Sequence, residues 1–227
     1  MTKGPTPRQL AREANIARIK ELALEQLAAE GAAGLSLRAV ARELNLVSSA
    51  IYRYYPSRDD LVTDLVLDAY ADLAAAVEQA VAAARPGRGE WVAACEALRA
   101  WARRQPHRYA LVYGSAIPGY EAPGTTVAPA VRVLRALALP VVRALGGRNP
   151  EGLPAPGAEL RTQLDQVAEG LEVDATPAVL LSLVHAFARL QGLVGLELNG
   201  HFVGGFEPAD LLYAAAVEDE ADRWGLT

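Results

Sequence analysis

The chain has 227 residues, of which 52% are hydrophobic, 6% aromatic and 22% charged. That is apolar enough to bury a core and too apolar for a disordered chain. The single cysteine, Cys95, excludes an intramolecular disulfide framework and any multi-cysteine zinc site. The net charge of −5 excludes a general nucleic-acid coat, because phosphate contact supplies most non-specific affinity. Alanine occurs 45 times and alternating β-branched runs are missing, so the composition favours an all-α chain. Charge is unevenly spread. Residues 1–60 carry nine basic and seven acidic side chains, and residues 61–227 carry 13 basic and 20 acidic. The most basic short window, 36–58, holds four arginines and one glutamate. A reducing cytoplasm is the expected compartment, and no charged-then-apolar stretch opens the chain to suggest a secretory signal.

Taken in order, the tail Met1–Pro7 contains two prolines and a glycine and is expected to be mobile. Gln9–Glu30 reads as a helix, with Ile16, Ile19, Ala23 and Leu27 at helical spacing and Gly31 as a stop. Ser36 caps a short second helix in which Leu37, Val40, Ala41 and Leu44 share a face and Arg38 and Arg42 share another. Asn45 can adopt the left-handed conformation that a sharp turn demands. A further short helix is expected over Ser48–Tyr54, ended by Pro56. Ser57 then caps a long helix to about Ala84, with Asp59 and Asp60 in its first turn, where the helix dipole favours acids. Val62, Leu65, Val66, Ala69, Leu73 and Ala76 mark its inner face. Later helices are expected near 89–104, 106–115, 125–146, 158–170, 177–199 and 208–224, with irregular stretches at 118–124 and 146–157. The apolar stretch Ala178–Leu198 is interrupted by Ser182, His185, Arg189, Gln191 and Glu197, so it reads as a buried helix rather than a membrane span.

Two short helices joined by a tight turn and preceded by a longer helix make a helix-turn-helix, whose second short helix enters the DNA major groove. Val40, Leu44, Leu46 and Ile51 can close its small core. Ser48 and Tyr52 lie one turn apart, as do Ser49 and Arg53, forming an exposed strip of hydroxyls and a guanidinium that suits phosphate oxygens and base edges. Amphipathic hairpins bearing a few arginines are common and by themselves leave the matter even. The run Ile51-Tyr52-Arg53-Tyr54-Tyr55-Pro56-Ser57-Arg58-Asp59-Asp60-Leu61 is less ordinary. Tyrosines crowded on one short helix make sense if Tyr55 packs inward while Tyr52 and Tyr54 hydrogen-bond phosphates.

From about Ala17 to Leu65 the chain resembles the DNA-binding domain of the TetR family of bacterial transcriptional regulators. The residues that carry this likeness are Gly31, Leu35–Ala41, Leu44–Tyr55 and Ser57–Leu61. The resemblance implies that Tyr52, Tyr54 and Arg58 contact phosphates and that Ser36 and Arg38 anchor the first short helix. It also implies that Val47, Ser48 and Ser49 face bases. Asn45 stands where the family commonly has Gly, and Val47 where a Ser or Thr cap is usual, so the recognition helix is expected to start at Ser48. Gln105–Gly114, Ile117–Tyr120 and Phe187–Leu198 resemble a C-terminal subgroup called WHG, although Phe187 and Gln191 replace its naming Trp and His.

The implied division is a DNA-binding domain over 1–60 and a helical effector-binding and dimerisation domain over 61–227. The implied function is a ligand-responsive regulator, expected to be a repressor released from a near-palindromic operator by a small molecule. Candidate ligand contacts are Tyr70, Trp91, Trp101, His107, Tyr113 and His185, with space-filling or capping as the ordinary alternative for each. Excess apolar surface on the last two helices points to a two-fold interface through Leu183, Phe187, Leu190, Val194, Leu211, Leu212 and Ala215. Gly192 and Gly195 would allow close approach there. A second reading is a small-molecule binding protein with a vestigial helix-turn-helix. An enzyme is the weakest reading, because no Ser/His/Asp grouping, metal-spaced His/Cys set or Gly-rich phosphate loop is present. No metal or cofactor is expected.

Overall fold

The computed structural model describes residues 4, 6–153 and 155–227, so the expectation for the Met1–Pro7 tail falls largely outside the described residues. Among the described residues the chain forms ten α-helices and one 3₁₀ turn, with no strand. The helices are α1 (Pro7–Gly34), α2 (Leu37–Glu43), α3 (Ser48–Ile51), α4 (Arg58–Ala83) and α5 (Arg88–Arg104). They are followed by α6 (Pro106–Tyr113), α7 (Val127–Leu145), α8 (Ala158–Leu171), α9 (Pro177–Leu198) and α10 (Asp210–Arg223).

Local chemistry sets most boundaries. Thr6 and Gln9 form a reciprocal capping box at the start of α1, with Pro7 in its first turn. Regular α1 geometry breaks at Gly31, whose φ of 71° requires a residue without a Cβ, as its role as a stop demands. Ser36 Oγ accepts from Ala39 N at 3.4 Å, capping α2. Ser57 and Asp60 exchange hydrogen bonds at the start of α4: Asp60 N donates to Ser57 Oγ at 3.1 Å and Ser57 N to Asp60 Oδ2 at 2.9 Å. Among the later helices, α7 starts two residues after the expected position, behind a 3₁₀ turn at Gly124–Thr126, and continues through Pro140.

By its internal contacts the chain divides into two units. The first comprises residues up to Ala69 together with His107–Thr126, and the second comprises Tyr70–Pro106 and Val127–Thr227. The division therefore falls within α4, and α6 beyond Pro106 groups with the helix-turn-helix. In the first unit, Ile19, Ala23, Val40, Ala41, Ile51, Leu61 and Val62 are fully buried. Burying each Ile or Val of this set stabilises the unit by roughly 1.5–3 kcal/mol. Leu44 and Leu46 close the edge of this core half-buried. The segment after α6 is held to α4 by a 3.1 Å hydrogen bond between Thr63 Oγ1 and the Tyr120 hydroxyl.

In the second unit, α5, α7, α8, α9 and α10 pack on one another. Aromatic side chains with satisfied polar tips tie α10 down. Trp224 meets Trp91 edge to face at 4.8 Å between ring centroids and donates to Ser182 Oγ at 2.9 Å. Trp91 Nε1 donates to Val217 O and the Tyr213 hydroxyl to Cys95 O, each at 2.9 Å. Residues 124–145 and 177–198 are long and apolar enough to cross a membrane by composition alone. Here α9 packs against α5, α8 and α10, with Leu180, Ala186, Leu190 and Val194 in the core.

Candidate nucleic-acid interface and effector cavity

The turn between α2 and α3 aims the candidate interface. Asn45 has φ 55°, and the backbone around it closes a Schellman motif. Leu46 N donates to Ala41 O at 2.9 Å and Asn45 N to Arg42 O at 3.1 Å. Val47 then stands at the N-cap of α3 without a side-chain cap bond, so α3 starts at Ser48 as expected. Its extent is a correction. Only Ser48–Ile51 is α-helical, and the expected helix over Ser48–Tyr54 gives way after Ile51 to tighter turns. Arg53 N bonds to Ala50 O and Tyr54 N to Ile51 O, both three residues back. The tightening accompanies the inward turn of Tyr55, and Pro56, without an N–H, cannot extend the helix.

Tyr55 is buried and its hydroxyl donates to Asp64 at 2.6 Å. Burial and this bond push the phenol's pKa well above its ordinary value, so it remains a donor. Lys20 of α1 bridges Asp64 at 2.9 Å and Asp68 at 2.7 Å. Burial opposes the charge on Lys20, but the bonds to Asp68 and Asp64 outweigh it and hold the ammonium pKa above its ordinary value. The chain Tyr55–Asp64–Lys20–Asp68 thus fixes the segment after α3 to α1 and α4. Gln26 acts similarly on α2: its carbonyl accepts from Ser36 N and its amide donates to Glu43. Sequence reasoning missed all of these supports. The one available signal was that Asp64 and Asp68 stand a turn apart on α4 and so share a face.

Most of the expected interface residues are brought to the surface. Arg38, Ser48, Ser49 and Arg53 are exposed, Val47 is 71% exposed and Tyr52 41%. Ser36, Tyr54 and Arg58 are half-buried. The Ser36 hydroxyl is engaged as a cap. Tyr54 Oη accepts from Asn15 Nδ2 at 2.9 Å, which leaves its own proton to donate. Arg12 stands over the Tyr54 ring at 5.2 Å and donates to Arg53 O, so the N-terminal part of α1 braces this edge. Arg58 lies 3.6 Å from Asp59 at the start of α4.

The second unit contains an apolar cavity of about 150 Å³ framed by α5, α7, α8 and α9. Of the expected ligand contacts only Trp91 lines it. Tyr70 is half-buried elsewhere, and Trp101 is buried with its Nε1 donating to Asp72 at 2.9 Å. His107 and Tyr113 belong to the first unit. His185, expected as a core residue or a ligand contact, is exposed, because it lies on the flank of α9 away from Ala186 and Leu190.

The expected interface set on α9 and α10 divides as well. Leu183, Leu190 and Val194 are buried within the chain itself and leave no surface for a second copy, and Leu183, Phe187 and Leu190 line the cavity. Leu211 (85% exposed) and Ala215 face outward and Leu212 is half-buried. Val184, Ala188, Gly192 and Leu196 form an exposed stripe at every fourth residue of α9. The apolar excess of α9 that suggested an interface thus partly serves the cavity. Cys95 is buried, and burial pushes its thiol pKa well up, so it is a small core residue and not a nucleophile.

Residues 19–65 match the sequence model of the bacterial regulatory proteins of the tetR family. Residues 91–219 match that of the tetracyclin repressor-like C-terminal domain, a description that does not name a subgroup. The chain is 38% identical over 200 residues to the HTH-type transcriptional regulator Rv1816 of Mycobacterium tuberculosis, covering 86% of this chain and 85% of that one. The crystal structure of the regulatory protein SCO4313 superposes with a TM-score of 0.80 at 34% identity, covering 95% of this chain and 98% of that one. PfmR, a TetR family transcriptional regulator from Thermus thermophilus, shares the fold at a TM-score of 0.55 and 20% identity, over 78% and 84% of the two chains. An all-α chain whose N-terminal helix-turn-helix exposes hydroxyls and guanidinium groups, and which matches these proteins over most of its length, belongs to the TetR family of bacterial transcriptional regulators.

Proposed function

We propose that the protein is a cytoplasmic, homodimeric repressor that leaves a near-palindromic operator when a small molecule binds its helical part. In this reading residues 1–60 form the DNA-binding domain and residues 61–227 the effector-binding and dimerisation domain. The observation that carries it is the strip of Arg38, Ser48, Ser49, Tyr52 and Arg53, exposed on a helix-turn-helix whose own core is already closed by Val40 and Ile51. Such a strip has no packing role left to fill, and its donors suit phosphates and base edges.

Tyr52, Tyr54 and Arg58 hold phosphates, Ser36 and Arg38 anchor α2, and Val47, Ser48 and Ser49 face bases. A single head of modest positive charge binds weakly, and pairing two heads raises affinity through effective concentration. The exposed α9 stripe with Leu211, Leu212 and Ala215 of α10 supports a two-fold contact. A Cβ placed on Gly192 would meet nothing within 4 Å beyond its own helix, leaving room for a neighbouring helix. An effector that binds the DNA-incompetent state better must weaken operator binding by the same factor.

Footprinting the purified protein on the DNA flanking its own gene, at two salt concentrations, tests the reading. A protected, roughly symmetric site with steep salt dependence supports it. Absence of any protected site, there and in a genome-wide selection, would favour a small-molecule binding protein with a silent head.

A further inference from the structure

The cavity of the second unit carries information about what enters it. Its walls are Trp91 of α5, Leu137 and Ala138 of α7, and Leu183, Val184 and Phe187 of α9, with further Leu and Val side chains from α7, α8 and α9. Binding pockets for small molecules normally set a few polar groups among apolar ones to fix orientation. Here every lining residue is apolar. The one polar side-chain atom among them, Trp91 Nε1, is already committed to Val217 O at 2.9 Å. A carboxylate, an ammonium or a hydroxyl placed inside would lose its water and gain no partner.

The cavity also has a way in. Val167 of α8, in its wall and outside the α9 stripe assigned to the two-fold contact, is 42% exposed. Helix α8, which carries Val167, buries among the described residues only Leu164 and Leu171. Apolar cavities of this size, about 150 Å³, stay dry and admit guests the size of benzene.

We infer that the cavity takes an uncharged, hydrocarbon-like molecule, of the size of a single aromatic ring, recognised by shape and apolar burial alone. This rests on the reading of the protein as ligand-responsive, and it names the class of effector. Polar effectors are discriminated against by the unpaired groups they would bury, and oversized ones by the walls of Leu137, Leu183 and Phe187.

The test is calorimetric titration of the full chain with toluene and, as a charged analogue of the same shape, benzoate. Toluene is expected to bind saturably, one per protomer, with a negative heat-capacity change. Benzoate is expected to bind at least about tenfold more weakly. Ala138→Leu fills the cavity and should weaken toluene by about tenfold or more, with folding checked by circular dichroism. If that variant does not fold, Val167→Asp at the half-exposed mouth should do the same. Equal binding of benzoate, or toluene binding that survives a folded cavity variant, overturns the proposal.

A DNA arm separates this from the broader reading. Release of the footprinted operator by benzoate but not by toluene overturns the apolar class while keeping ligand response. Toluene binding that leaves operator affinity unchanged upholds the cavity's chemistry and overturns its role as the effector site.

Discussion

Arg99 is the most deeply placed charge in the second unit after Glu220, at 8% exposure, and no feature of the sequence marks it. Its guanidinium forms a fork on Glu197, with Nε to Oε2 at 2.7 Å and Nη2 to Oε1 at 2.8 Å. Nη1 reaches Asp210 at 3.0 Å, and the group lies over the Tyr213 ring at 5.2 Å. One side chain therefore joins α5, α9 and α10. Replacing it by Met keeps the bulk and leaves the Glu197 carboxylate, itself largely buried, without its bidentate partner. Removing one member of such a pair costs about 3–5 kcal/mol. Arg103, whose Nε stands 3.6 Å from the same carboxylate, offsets part of this, so the lower end, about 3 kcal/mol, is expected. That is a large share of a typical stability of about 5–15 kcal/mol. The double variant Arg99→Met/Glu197→Leu removes both charges and should lose at least about 2 kcal/mol less than the two single variants summed. Urea unfolding followed by circular dichroism measures all four proteins, at one fixed concentration because association would shift apparent stability. A cost below about 1 kcal/mol for Arg99→Met, or additivity in the double variant, would refute the argument.

Four further outcomes are expected. Asn45→Val should destabilise by about 1–2 kcal/mol, because a β-branched side chain resists the left-handed conformation, whereas Asn45→Gly should be neutral or better in thermal unfolding. Ser57→Ala removes the α4 cap and should cost about 1 kcal/mol by the same measurement. The carboxyls of Asp219 and Asp210 are held below their ordinary pKa by hydrogen bonds from Arg189 and Arg99 respectively. The unfolded chain therefore binds more protons than the folded one in acid. Their stabilising contribution is complete above a pH of about 4 and is lost as pH falls through the lowered pKa values. A melting-temperature series should show a shallower acid decline in Asp219→Asn than in the parent. On the footprinted operator, Tyr52→Phe and Arg58→Ala should weaken binding to all sequences alike, the latter lowering the salt slope by about one, while Ser49→Ala should change sequence preference. Unchanged affinity and slope in the first two would show that phosphates are held elsewhere.

The head was largely legible in the sequence because its defining interactions are local. The Ser36 and Ser57 caps, the Gly31 stop and the Asn45 turn each involve groups within five residues of one another. The exposed strip of Ser48, Ser49, Tyr52 and Arg53 follows from helical periodicity together with that turn. Even there, the sequence did not reveal that Tyr55, drawn in beside Asp64, would accompany an α3 shortened to four residues.

In the second unit the helices were legible but the roles of their side chains were not. Periodicity marked α9 as apolar on more than one face, yet only packing decided that Leu183 and Phe187 line a cavity, Val194 fills the core and Val184 and Leu196 meet solvent. The same holds for Arg99, whose partners lie 98 and 111 residues away, and for His107–Thr126, whose contacts place it with the head. Backbone propensity and capping act over one turn of helix, whereas burial and ion pairing depend on which distant helices meet. The sequence by itself therefore determined the helices and the exposed strip on the helix-turn-helix, and only the tertiary structure decided the cavity, the buried charges and the grouping of α6.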